Sequence, residues 1–335
     1  MSLAKAESRR LFKRRFTSLI LIGVMLVLAL VAAGTFLSNQ KATPERIAEA
    51  KAQAAASFQS AVQEAEREKK RCLAAPGTPD AANYPADCTQ MWTPTPEEFD
   101  YTWYMPPTFD MRQNFPDMIM VFAVVLAAAA FLVGASFVGS EWHSGGMMNL
   151  LLWRPRRLQV LGTKLTVFLG WFTGLTLLLG AAWAGAFQAI ALLRGSTEKM
   201  TAGVWQSFGL TGLRGLGLIL AAGAIGFALA SLGRHTGMAL GALIGVGAVQ
   251  IGVFIMAQLG GAAYPEAYLG PLWAYAWMVK EVPLENMSSC DFSANGGCKP
   301  EIFTMTWQVA GTGFAIVTVL VVGAALWALR RRDIS

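Results

Sequence analysis

The chain has 335 residues, of which 54% are apolar and 14% charged, with a mean hydropathy of +0.44. A soluble domain carries roughly 25% charged residues, so 27 Lys+Arg and 21 Asp+Glu are too few to clothe a water-facing surface, which argues against a soluble enzyme. The net charge of +6 is no argument for nucleic acid until its location is known, and two histidines and four cysteines are little material for a histidine-rich metal site or an iron–sulfur centre.

A bilayer core of about 30 Å takes about 20 apolar residues in a helix. Six segments have that length: 16–37, 118–138, 165–193, 208–232, 237–259 and 309–329. The first follows a basic leader, as a signal peptide would, but its 22 residues exceed a signal core of about 7–15, so it reads as a retained anchor. Helices satisfy their own backbone hydrogen bonds in hydrocarbon. The expected fold is an all-α integral membrane protein, one domain over residues 1–335 with six transmembrane helices.

An even number of spans puts both termini on one side. That side carries fourteen cations (the leader Lys5–Arg15, Arg154, Arg156, Arg157, Lys164, Arg234 and Arg330 to Arg332) against Glu7, Glu141 and Asp333, a net +11. The other side carries twelve cations and eighteen acids, a net −6, with Arg214 inside the fourth span. The excess of Lys and Arg in short loops places the termini in the cytoplasm.

The first extracytoplasmic segment, 38–117, is too long for a passive connector. Thr43, Pro44 and Glu45 form a helix start, and apolar residues recur from Ile47 to Ala65 at helical period, which predicts a helix over 44–71. Residues 76–116, dense in proline and aromatics, read as irregular. Cys72, Cys88, Cys290 and Cys298 all fall on this side, where disulfides persist. Four cysteines allow three pairings; locality favours Cys72–Cys88 and Cys290–Cys298. The segment reads as a helical, disulfide-clipped insertion, either a cap on the bundle or a partner-binding surface.

In the fourth span, Arg214 reads either as an arginine snorkelling to the outer interface or held in an outer-leaflet ion pair, or as part of a substrate path. Gly209, Gly212, Gly215, Gly217, Gly223 and Gly226 there, and Gly237, Gly241 and Gly245 in the fifth span, suit close helix packing. In the second extracytoplasmic segment, 260–308, residues 269–279 are apolar but too short to span, which predicts a re-entrant or interfacial helix before the last span. Its aromatics Tyr264, Tyr268, Trp273, Tyr275 and Trp277 suit the headgroup zone or an exit path. No G-x-x-x-x-G-K-[ST] phosphate loop and no H-E-x-x-H motif occurs, and His143 and His235 sit at span ends.

The most informative stretch is the cytoplasmic loop 139–164. Ser144 can start a short helix in which Met147, Met148, Leu150, Leu151, Leu152 and Trp153 give unusual apolar bulk, and Pro155 disfavours helical geometry at Arg154. A greasy helix outside the bilayer needs a cover: this chain, the membrane surface or a partner.

Glu141-Trp142-His143-Ser144-Gly145, then Leu150-Leu151, Arg154-Pro155 and Lys164, resemble the acidic–aromatic–basic, Ser-Gly-Thr, leucine-rich, Pro and Lys pattern of ABC-2 type permeases. Gly146 stands where threonine is usual. The closing Arg331-Arg332-Asp333-Ile334 is similar to the family's Arg-Arg-Asp-Leu tail. The resemblance implies a permease of an ATP-driven exporter in the cell membrane, paired with a second permease chain as homo- or heterodimer and with two copies of a separate ATPase. It implies that Trp142, His143, Ser144, Gly145, Met147, Met148, Leu150, Leu151 and Leu152 dock in a groove of the ATPase, and that Glu141 links span and loop. ATP and Mg would sit on the partner; this chain would bind no cofactor or metal and hold no catalytic residue. The alternative is a membrane-embedded sensor or assembly protein whose extracytoplasmic segments bind a ligand or partner.

Overall fold

The structure, a computed structural model, describes residues 3–85, 87–153, 156–286 and 300–331. It is mostly helical, and six helices are long and apolar enough to cross a membrane, as in a multi-pass membrane protein. They are α2 Arg15–Ser38, α4 Met111–His143, α6 Arg157–Arg194, α7 Ala202–Gly233, α8 Thr236–Leu259 and α10 Trp307–Arg331. Each contains one of the six apolar segments. The shorter helices are α1 Leu3–Lys13, α3 Pro44–Ala74, α5 Gly146–Trp153 and α9 Gly270–Val279. The chain forms two compact units: residues 1–32, 112–187 and 199–335, and residues 33–111 and 188–198.

In the first unit the core lies along α4 and α7, whose most apolar stretches are 56% and 50% buried, against 6% for α8. Missing side chains make this possible. A Cβ on Gly134 of α4 would fall 2.6 Å from the carbonyl oxygen of Gly223 on α7, and one on Gly226 would strike the Phe131 carbonyl. Close helix approach through small residues is the usual device in lipid, where no hydrophobic effect drives helices together. Phe168 of α6 packs over the same crossing, with its ring 6.4 Å from Phe137 and 6.3 Å from Phe227. Gly215, Gly223 and Gly226 therefore pack, whereas Gly209 and Gly212 have no atom within 4 Å of a would-be Cβ.

Two residues separate α7 from α8. Arg234 takes the left-handed conformation (φ 56°), and the Nδ1 of His235 accepts the Gly237 N–H at 2.9 Å, capping α8. The basic leader, read from sequence only as charge, forms helix α1, which buries Glu7 and Leu11 one turn apart.

The segment before α10 departs from an all-α description. After α9, β3 Glu281–Asn286 pairs antiparallel with β4 Glu301–Thr306, with Glu281 opposite Thr306 and Asn286 opposite Glu301. Val282, Leu284 and Met305 turn inward onto Ala276 of α9 and Ala310 of α10. Pro283 mutes the strand signal in sequence, yet a two-stranded ribbon has only edge strands, where proline is tolerated. Trp273 and Trp277 are packed and hydrogen-bonded within the chain. They stack against Gly313 and Gly311 of α10 and donate at 2.8 Å to the carbonyls of Ala267 and Arg214. Tyr268 and Tyr275 remain exposed. Cys290 and Cys298 lie outside the described residues.

In the second unit, Thr43 Oγ1 accepts the Arg46 N–H at 3.4 Å and starts α3, which runs one turn beyond the expected end. The disulfide Cys72–Cys88 ties its last turn to the following segment. That segment consists of short 3-10 turns, and Thr95 and Glu98 form a capping box at one of them. Phe99 packs edge-on to Phe58, and Lys51 lies 5.2 Å over the Tyr101 ring. The irregular stretch ends earlier than the sequence suggests. β1 Phe109–Asp110 pairs in parallel with β2 Gly195–Ser196, and α4 begins at Met111 with Pro116 inside it. As the sixth residue of the helix, in its second turn, Pro116 removes one i→i−4 bond and crowds the carbonyl four residues back.

Candidate functional site: a buried charge cluster at the root of the α4–α5 turn

Lys164 of α6 is fully buried. A buried ammonium is costly unless paired and hydrogen-bonded, and here it is both. Its Nζ donates to Glu7 Oε2 at 2.5 Å and is paired with Glu141 Oε2 at 2.7 Å. Glu141, near the end of α4, receives Arg14 Nη2 on its other oxygen at 3.0 Å. Arg14 Nη1 donates to Ser140 Oγ at 2.7 Å and to the Ser136 carbonyl at 3.0 Å. Both cations also face the Phe137 ring, at 5.2 Å for Arg14 and 5.0 Å for Lys164. Burial pulls Arg14 below its ordinary value, while Glu141 and then Glu7 oppose that shift; a guanidinium stays charged throughout. Two carboxylates balance two cations, and Arg10 reaches Glu7 from the surface at 3.4 Å.

The cluster joins α1, α4 and α6 and the residue before α2. Glu141 is its hub, three residues before Ser144, where the chain turns into α5. At that turn Gly145 adopts φ +71°, a conformation suited to glycine. Ser144 does not cap α5; its hydroxyl donates back to the Glu141 carbonyl at 3.4 Å, and its N–H to Ser140 at 3.0 Å, closing α4 instead. Trp142 is half-buried under the Arg234 guanidinium, 5.2 Å from its ring, and among the described residues its indole N–H has no partner. The His143 ring meets that of His235 edge-on at 5.3 Å. Met147 is buried, whereas Met148 and Leu150 are partly exposed. The side chains of Leu151 and Leu152, and Arg154 and Pro155 entire, lie outside the described residues, as do Arg332, Asp333 and Ile334 of the tail.

Arg214 is far from this cluster in sequence and has a different neighbourhood. Its guanidinium lies 4.9 Å over the Trp307 ring, and its buried Nη1 has no hydrogen-bond partner among the described residues. Among the described residues no carboxylate pairs with it. An aromatic face, rather than an ion pair, holds this charge.

Sequence reasoning placed Glu141 and Lys164 near the loop but missed Glu7 and Arg14. Glu7 is the single acid in a leader of six cations, and with Leu11 it marks one helical face, the only local hint. Among the described residues no group of three or more His, Cys, Asp or Glu is placed to hold a metal ion. No family model, curated protein or solved structure matches the chain.

Proposed function

We propose that the chain is the membrane-spanning subunit of an ATP-driven exporter of the ABC-2 permease type. It would lie in the cell membrane with both termini in the cytoplasm and work beside a second permease chain. Two copies of a separate ATPase would bind and hydrolyse ATP with Mg. The observation that carries this reading is the anchoring of Glu141. The residue at the root of the short apolar helix α5 is bonded to Lys164 on α6 and to Arg14 just before α2. A load applied to α5 is thereby shared with three other helices, which is what coupling to a motor requires. Charge-assisted pairs of this kind hold geometry tightly, and a motor can bias inward- and outward-facing states only through differential contact with the two. α9, short and held against α10, would be the interfacial or re-entrant element beside the exit.

Replacing Leu151 with Asp should abolish coupled ATPase activity in the reconstituted complex while membrane insertion is kept. Unchanged substrate-stimulated hydrolysis in that variant would sink the reading. So would recovery of the native complex without any Walker-motif protein.

A second reading, a sensor or assembly protein, draws on a groove of about 510 Å³ in the second unit, where Trp92 stands 60% exposed beside Glu64 and Glu68 of α3. It requires no docking at α5 and predicts full function with Leu151→Asp.

A further inference from the structure

A cavity of about 300 Å³ opens among α4, α6 and α7 of the first unit. That size is at the lower end of small-molecule sites, which are mostly apolar with a few placed polar groups. Its walls are Phe115 and Phe122 of α4, Trp183 of α6, and Trp205 and Phe208 of α7. The floor on α7 includes Gly209 and Gly212, the two glycines of that helix that pack against nothing and leave room instead.

Among the described residues one hydroxyl lines this apolar space, beside the indoles of Trp183 and Trp205. Thr176 of α6 is 5% exposed, and among the described residues its hydroxyl has no hydrogen-bond partner. Its neighbours on the same helix behave differently. Thr163, Thr166 and Thr173 each donate to the carbonyl four residues back, at 2.7, 2.5 and 2.8 Å. Such back-bonding is the ordinary way a helical threonine satisfies itself in apolar surroundings, and a buried unsatisfied hydroxyl calls for an explanation. Trp183, by contrast, is satisfied, donating to the Met118 carbonyl at 3.0 Å.

We propose that this cavity binds a single alkyl chain bearing one hydrogen-bonding oxygen, with the chain between the aromatic walls and the oxygen at Thr176. The site lies among three helices long and apolar enough to span a membrane, where alkyl chains are the abundant solute. Its aromatic and glycine lining offers contact without charge. The same chemistry is presented by the chain of a bilayer lipid and by a free amphiphile such as a fatty alcohol. This site goes beyond the transport reading and does not depend on whether an ATPase docks at α5.

The test uses the full-length protein in lipid nanodiscs with a twelve-carbon alcohol carrying a diazirine, followed by peptide mapping. Label is expected in peptides spanning 115–122 and 205–212. Gly212→Phe, which fills the cavity from a position with open space, should cut labelling at least tenfold. Thr176→Val, close to isosteric, should lower labelling by the alcohol several-fold and leave labelling by the corresponding diazirine alkane unchanged. Should Gly212→Phe fail to fold, Gly209→Leu and the Thr176 comparison decide the matter. A phosphatidylcholine with the diazirine in its acyl chain separates the sources. Labelling that excess dodecanol does not displace identifies bilayer lipid as the occupant, and displacement identifies the free amphiphile. Label elsewhere, or equal labelling of the filled variants, overturns the site.

Discussion

Lys164 and Glu7 are 157 positions apart in sequence, yet their charged atoms meet at 2.5 Å, with at most 1% of either side chain exposed. Removing one partner of a buried pair leaves an uncompensated charge, which costs about 3–5 kcal/mol. Lys164→Met should therefore sharply lower the thermal unfolding temperature in detergent. The paired change Glu7→Leu with Lys164→Leu leaves Arg14 and Glu141 balanced and should cost far less. A loss in the double variant equal to the sum of the losses of Glu7→Leu and Lys164→Leu alone would show that the two side chains do not act as a pair.

The glycines of α7 should divide by what surrounds them. At Gly226 a methyl group would strike the Phe131 carbonyl, and backbone cannot step aside as a side chain can. Gly226→Ala is expected to destabilise by about 1–3 kcal/mol, the usual cost of overpacking. Gly209→Ala meets open space and should be neutral or stabilise by about 0.4–1 kcal/mol through the unfolded chain. Thermal melts of the two variants, measured side by side, check the contrast.

In the second unit the bond between Cys72 and Cys88 closes a loop of sequence separation 16. Constraining a loop of that size stabilises by about 3 kcal/mol in the chain-entropy view. The double variant Cys72→Ser, Cys88→Ser should open residues 75–105 to limited proteolysis while leaving α4 and α7 protected. Unaltered cleavage there would mean that the turns hold without the bond.

Two carboxylates in the same unit set an acid limit. The Thr89 hydroxyl and then its backbone N–H donate to Asp87, and the Thr102 backbone N–H is the main donor to Asp100, so both titrate below their ordinary value of 3.8. A carboxylate depressed by folding adds stability above its unfolded value and loses it as pH falls through the folded one. The turns at 88–90 and 101–104 should therefore be insensitive to pH near neutrality and loosen only below about pH 4. Amide exchange at Thr89 and Thr102, corrected for intrinsic rates, should show this. Asp87→Asn and Asp100→Asn should remove the pH dependence at their own turn.

The spans are legible in the sequence because a run of about twenty apolar residues has few solutions in hydrocarbon. The Cys72–Cys88 pairing is legible from proximity along the chain. The charge cluster is not, since nothing local to Glu7 or Arg14 reports a partner on α4 or α6, and both read as members of a charged leader. The β3–β4 ribbon is hidden for another reason: its alternation of exposed and buried residues is short and is interrupted by Pro283. The glycines of α7 look alike in sequence, and only the neighbouring backbone separates those that pack from those that leave space.

Helix α6 carries Lys164 and Thr176 twelve residues apart on one rod without a proline between them. At 1.5 Å per residue that is about 18 Å of hydrogen-bonded backbone, stiff along its own axis. The charged knot and the apolar hollow are thus fixed to one lever. Neither can be displaced along that axis without carrying the other with it, so a shift that begins at Glu141 has a mechanical route to the hollow that needs no relay of side chains.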